Sequence, residues 1–154
     1  MVVSSSRHSR VSWRRRLRDP LVRQRLYLLV SGIGWLLYGV QVVLDPYPRT
    51  VRSASILDGL APISMWGWTW IVGSVIAIVC ALVGCTRLMW IGFASALYPP
   101  LLWGVAFAAA WATGEYPQAW AGAATWIAAA VRLMIVGAWP ACVVVAPEIR
   151  EVKR

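Results

Sequence analysis

The sequence predicts an all-α fold, an integral membrane four-helix bundle with both termini on the cytoplasmic side. Three observations carry that expectation. Four stretches, 26–44, 62–83, 88–112 and 118–145, hold a single charged residue between them, and each is at or above the roughly 20 residues that cross a bilayer. The chain is 60% hydrophobic yet carries 15 Lys+Arg against 6 Asp+Glu, a net charge of +9. A soluble basic protein shows far more charge than the 14% present here, and a disordered basic one far fewer apolar residues. Finally, 12 of the 15 basic residues fall on one predicted side: eight before the first span, Arg87, and Arg150, Lys153 and Arg154. The positive-inside rule makes that side the cytoplasm.

Residues 1–19 form a polar, Arg-loaded cytoplasmic arm without apolar periodicity. Asp19-Pro20 then begins a helix, Asp as N-cap and Pro at the first helical position. The helix passes Arg23 and Arg25 and spans 26–44, ending at Asp45-Pro46. Within the following loop, 53–60 is expected to form a short interfacial helix. Pro62 starts the second span, and Gly84-Cys85-Thr86-Arg87 turns the chain into the third, which contains Pro99-Pro100. A short loop with Glu115 leads to the fourth, which contains Arg132 and Pro140, and 148–154 is a charged cytoplasmic tail. Pro99, Pro100 and Pro140 are expected to kink the third and fourth helices, since Pro lacks the helical N–H and clashes with the preceding turn. A cleaved signal peptide fits the first segment less well, because its 19-residue apolar run exceeds the usual hydrophobic core of such signals.

Arg132 stands out among candidate functional residues. It lies about 18 Å along the fourth span, where a charge costs at least about 2.5–3.5 kcal/mol. No Asp or Glu lies in any span. Pro99 and Pro100 leave the carbonyls of Ser95 and Ala96 without helical donors, so Arg132 is expected to cap Ser95 and Ala96, with Tyr98, Ser74 and Tyr38 nearby. A structural clamp, or a side chain that snorkels to the headgroups, explains Arg132 more simply than an ion pathway does. Gly32, Gly39, Gly73, Ala77 and Ala81 are expected to let helices approach closely. Trp66, Trp68 and Trp70, with Trp111, Trp120 and Trp90, read as interfacial anchors, whereas Trp35, Trp103 and Trp126 lie deeper. Arg14, Arg15, Arg16, Arg18, Arg23 and Arg25 are expected to contact anionic lipid, at about 1 kcal/mol each.

Chemistry finds little to build on. The only His is His8 in the arm, so no intramembrane His can ligate haem. The spacing of Cys80, Cys85 and Cys142 fits no zinc or redox pattern, and small apolar packing explains them. No nucleotide-binding, metalloprotease or serine-hydrolase motif is present. The expectation is a protein that is not an enzyme and takes no cofactor. Nucleic acid is not expected as a partner, because the basic arm offers no fold or stacking surface.

The leader Arg14 to Arg25, the segment Gly32-Ile33-Gly34-Trp35 and the span entry Pro62…Trp66-Gly67 resemble the small four-span membrane proteins of actinobacteria and their phages. That resemblance implies a bacterial, or phage-infected host, plasma membrane and no assigned activity. The expected role is a structural or interaction component of that membrane, partnered by anionic lipid and by a second copy or another membrane protein. A phage holin is the alternative and a small transporter subunit the third.

Overall fold

The computed structural model describes residues 20–138, and these residues are all-helical. Six helices occur in order: α1 (Pro20–Leu44), α2 (Pro48–Ser53), α3 (Ser55–Leu60), α4 (Ile63–Val83), α5 (Thr86–Ala112) and α6 (Ala119–Gly137). Of these, α1, α4, α5 and α6 are long and apolar enough to cross a membrane. The arm, Asp19, Pro140 and the tail lie outside the described residues. The loop expected to carry one short helix over 53–60 carries two, because Pro48 starts an additional turn at the first helical position. Pro99 and Pro100 sit inside α5, which runs helical without interruption from Thr86 to Ala112.

The four long helices pack in chain order: α1 on α4, α4 on α5, α5 on α6. Glycines set the antiparallel register of these pairs. On α1, Gly32 faces Ser74 and Ile78 of α4, while Gly39 faces Gly67 and Trp70, so residues rising along one helix meet residues falling along the other. A side-chain carbon on Gly39 would lie 2.7 Å from Trp70 Cβ and 3.1 Å from the Gly67 carbonyl oxygen. A carbon on Gly67 would reciprocally lie 2.7 Å from Val43 Cγ2 and 3.2 Å from the Gly39 carbonyl. In lipid, where the hydrophobic effect does not drive helices together, such approach gains dispersion contacts along two backbones.

One end of the bundle is tied by two neighbouring residues of α1. Gln24 is buried and donates from Nε2 to the carbonyl of Val136 at 2.9 Å, in the last turn of α6. Arg25 donates from Nη2 to the carbonyl of Gly84, the left-handed residue that ends α4. Helix C-termini expose unpaired carbonyls and the negative end of the dipole, so an amide and a guanidinium there satisfy two helices at once. Arg25 therefore caps the end of α4 in addition to the lipid contact expected of it.

The opposite end is covered by α2 and α3, which rest on α5 through Ala54 and Leu57. Asp58 Oδ1 accepts the Ile63 N–H at 3.1 Å and so caps α4. Trp66 Nε1 donates to the carbonyls of Leu57 at 2.9 Å and Ala61 at 3.2 Å. Ser55 Oγ donates to a Glu115 carboxylate oxygen, joining α3 to the α5–α6 turn.

Candidate functional site

The polar residues expected to gather around Arg132 are dispersed. The inward stripe of α6 is Ala119, Ala123, Trp126, Ala130, Leu133 and Gly137, spaced by four and three residues. At 100° per residue, Arg132 falls about 100° from Leu133 and about 200° from Ala130. It is exposed on the outward face and bonds no described residue. The expected clamp on Ser95 and Ala96 is not made. The Ser95 carbonyl, released by Pro99, instead faces α4, where a carbon on Gly73 would lie 2.7 Å from it. Gly73 thus turns a hydrogen toward a carbonyl that has lost its amide donor, the arrangement of a weak Cα–H···O bond. Ser95 Oγ is occupied by its own helix, donating to the Gly92 carbonyl at 2.9 Å.

Tyr98 is 55% exposed and borders an apolar groove of about 440 Å³ between α4 and α5, with Trp68, Val72, Gly73, Ile76 and Ser95. Ser74 and Ala96 are buried in the interior. Ala77 and Ala81 are buried beside Leu28, Met89 and Phe93. Gly92 receives Cys80 and Leu28 closely, whereas Cys85 is exposed at the α4–α5 turn instead of packing. Arg23 is exposed beside the α1 cap residues, and Arg14, Arg15, Arg16 and Arg18 lie outside the described residues.

What the helices do bring together is aromatic. Trp35 and Tyr38 of α1, Trp70 of α4, Trp103 and Phe107 of α5 and Trp126 of α6 form one cluster. Ring centroids stand 4.8 Å apart for Trp70–Trp126, 4.9 Å for Tyr38–Trp70 and 5.0 Å for Tyr38–Trp126. The last pair joins α1 to α6, whose backbones otherwise barely meet. Trp70 and Trp103 are both 0% exposed. Trp70 is therefore a core residue and not the interfacial anchor its neighbours Trp66 and Trp68 suggest. The sequence carries a signal for this: Trp70 lies in helical register with Gly67, Gly73 and Ala77, while Trp68 is rotated off that stripe. Tyr38 also reaches Thr50 of α2 through its hydroxyl, tying the cluster to the helices that cover that end.

Three polar atoms in this interior find no hydrogen-bond partner among the described residues: Trp70 Nε1, Trp103 Nε1 and Ser74 Oγ. A buried, unpaired hydroxyl costs roughly 1–3 kcal/mol. Four of the seven ring pairs are T-shaped, so positive ring edges meet negative faces and offset part of the indole penalty. Ser74 has no such relief. Ser74→Ala is accordingly expected to leave stability unchanged or raise it by up to about 1 kcal/mol, read from unfolding in mixed detergent micelles. A loss of more than about 1 kcal/mol would show that the hydroxyl has a partner in the membrane.

Among the described residues no group of three His, Cys, Asp or Glu side chains is placed to hold a metal ion. No family model, curated protein or solved structure matches the chain.

Proposed function

We propose that the protein is a non-catalytic, multi-pass component of a bacterial plasma membrane that works by binding other membrane constituents. The supporting observation is the aromatic cluster. Rings from all four long helices meet in the interior of the bundle, toward its α2–α3 end, which favours a packed scaffold over a conducting path. Glycine contacts as close as those of Gly39 and Gly67 favour a bundle that stays assembled over one that opens to line a lesion. In this reading both termini are cytoplasmic, following the charge asymmetry. Arg14, Arg15, Arg16, Arg18 and Arg23 then hold anionic headgroups at that face, and the outward helix faces are left for protein.

Induced expression of the full chain in a bacterial host tests the reading. Growth is expected to continue with the membrane potential intact, monitored with a potential-sensitive dye. An abrupt collapse of potential after a period of accumulation would overturn it in favour of the holin alternative.

A further inference from the structure

The helices on the flanks of the bundle are the least covered. In its most apolar stretch α6 is 22% buried, against 50% for α5. Its outward face presents Ala121, Ala124, Thr125, Ala128, Arg132 and Ile135, all exposed and, apart from the adjacent pair Ala124 and Thr125, three or four residues apart. Thr125 is satisfied within the helix, donating to the Ala121 carbonyl at 2.8 Å. Arg132 is therefore the polar group on this face that helix bonding leaves unsatisfied.

Its depth follows from register. Ile127 of α6 packs on Gly104 of α5, Gly122 on Phe107, and Gly137 on Phe93. Counting along these antiparallel contacts puts Arg132 level with Tyr98. Tyr98 lies 12 residues from Thr86 and 14 from Ala112, the two ends of α5, or about 18 and 21 Å by helical rise. Along α6 itself Arg132 lies 13 residues from Ala119 and five from Gly137, so it starts inside the span but nearer the end where Gln24 meets Val136. Helical Cα–Cβ bonds tilt toward the N-terminus, which directs Arg132 along the longer of the two routes. To meet a phosphate at the nearer end, the side chain would have to turn back against that direction.

A charge so placed calls for an opposite charge inside the bilayer. The four long helices contain no Asp or Glu. A second copy brought face to face would set Arg132 against Arg132, a repulsive pair in a low-dielectric medium. Resting on the reading of the protein as an interaction component, we propose that the Arg132 face of α6 docks a transmembrane helix of another protein bearing an aspartate or glutamate level with Arg132. Ala128 and Ala124, one and two turns away, let the two backbones approach closely enough for the carboxylate to meet the guanidinium.

The full chain in lipid nanodiscs, mixed with a dye-labelled synthetic polyleucine helix, tests this docking. Three helices are compared, with Glu, Gln or Leu at the central position, and association is read by energy transfer. The Glu helix is expected to bind about tenfold more tightly than the Leu helix, the worth of one charge-assisted hydrogen bond. Arg132→Leu should abolish the preference and Arg132→Lys should keep most of it, with unchanged unfolding curves confirming that both variants fold. Equal binding of the three helices, or a Glu preference that survives Arg132→Leu, would overturn the docking. So would peptide binding that appears only after Glu148→Gln and Glu151→Gln, because the chain's own tail would then be the occupant. Dimerisation of the chain that persists in Arg132→Leu and blocks the helix would also overturn it. Depolarisation of an expressing host, measured separately, strikes the wider non-lytic reading and leaves the Glu preference to be judged by itself.

Discussion

Gly39→Ala should destabilise the bundle by roughly 1–3 kcal/mol, the usual cost of forcing extra carbon into a close-packed contact. The new methyl would meet Trp70 Cβ at 2.7 Å and the Gly67 carbonyl at 3.1 Å. Neither is the far end of a flexible side chain, so α1 and α4 must separate. Gly67→Ala should cost a similar amount, since its methyl would meet Val43 Cγ2 at 2.7 Å and the Val43 amide nitrogen at 3.1 Å. The double variant should cost less than the sum, because once the helices part for one methyl there is room for the other. Gly34→Ala is the internal control. Gly34 lies in the same helix with nothing within 4 Å of the added carbon, so the substitution should be neutral or stabilise by up to about 1 kcal/mol through helix propensity. Unfolding in mixed micelles, followed by tryptophan fluorescence, measures all four. A Gly39→Ala protein as stable as Gly34→Ala would mean that α1 and α4 are not packed backbone to backbone.

The contrast between Gly34 and Gly39 shows what was legible in the sequence and what was not. The four long helices follow from charge-free length alone, because every backbone group must be satisfied within a segment that crosses lipid. Which side of each helix faces inward is a harder question. A spanning helix is apolar all round, so apolar periodicity does not mark the core face; small residues and large rings at shared spacing do. On α6 that stripe runs through Ala119, Ala123, Trp126, Ala130 and Leu133, and reading it would have placed Arg132 outside before any contact was known. Arg132 stands level with Tyr98 along the bundle, but height along a helix says nothing of direction. The freed Ser95 carbonyl likewise follows from Pro99, while the Gly73 Cα–H it faces depends on the angle at which α4 crosses α5. The roles of Gln24 and Arg25 were hidden for a different reason. A cap supplied by one helix to the ends of two others is a long-range relation, joining Gln24 to Val136 and Arg25 to Gly84, and leaves no local signature.

Trp70→Ala and Trp103→Ala should be the most damaging single substitutions, each costing about 3–5 kcal/mol. Both side chains are wholly buried, and their centroids lie 6.2 Å apart. Around them stand Trp35, Tyr38, Phe107 and Trp126, drawn from three helices. Removing either indole leaves a cavity that rigid neighbours cannot close, and it also deletes ring contacts worth about 0.5–1.5 kcal/mol beyond area. A Trp70→Ala/Trp103→Ala cycle should show coupling of about 0.5–3 kcal/mol, as expected for side chains in one cluster. Trp70→Phe should cost less than Trp70→Ala, because it keeps a ring edge in the cluster while discarding an N–H that has no partner. Trp68→Ala separates this core role from membrane anchoring. Trp68 is two residues away and 56% exposed, so its loss should change the unfolding free energy by less than about 1 kcal/mol. The same comparison bears on function. Because Tyr38 and Trp126 bridge α1 and α6 through this cluster, cutting Trp70 to Ala should loosen that pair first and raise hydrogen exchange along α6 before α5. If Trp70→Ala proved no more harmful than Trp68→Ala, the rings would not be closing the bundle, and the case for a packed scaffold over a conducting path would fall with them.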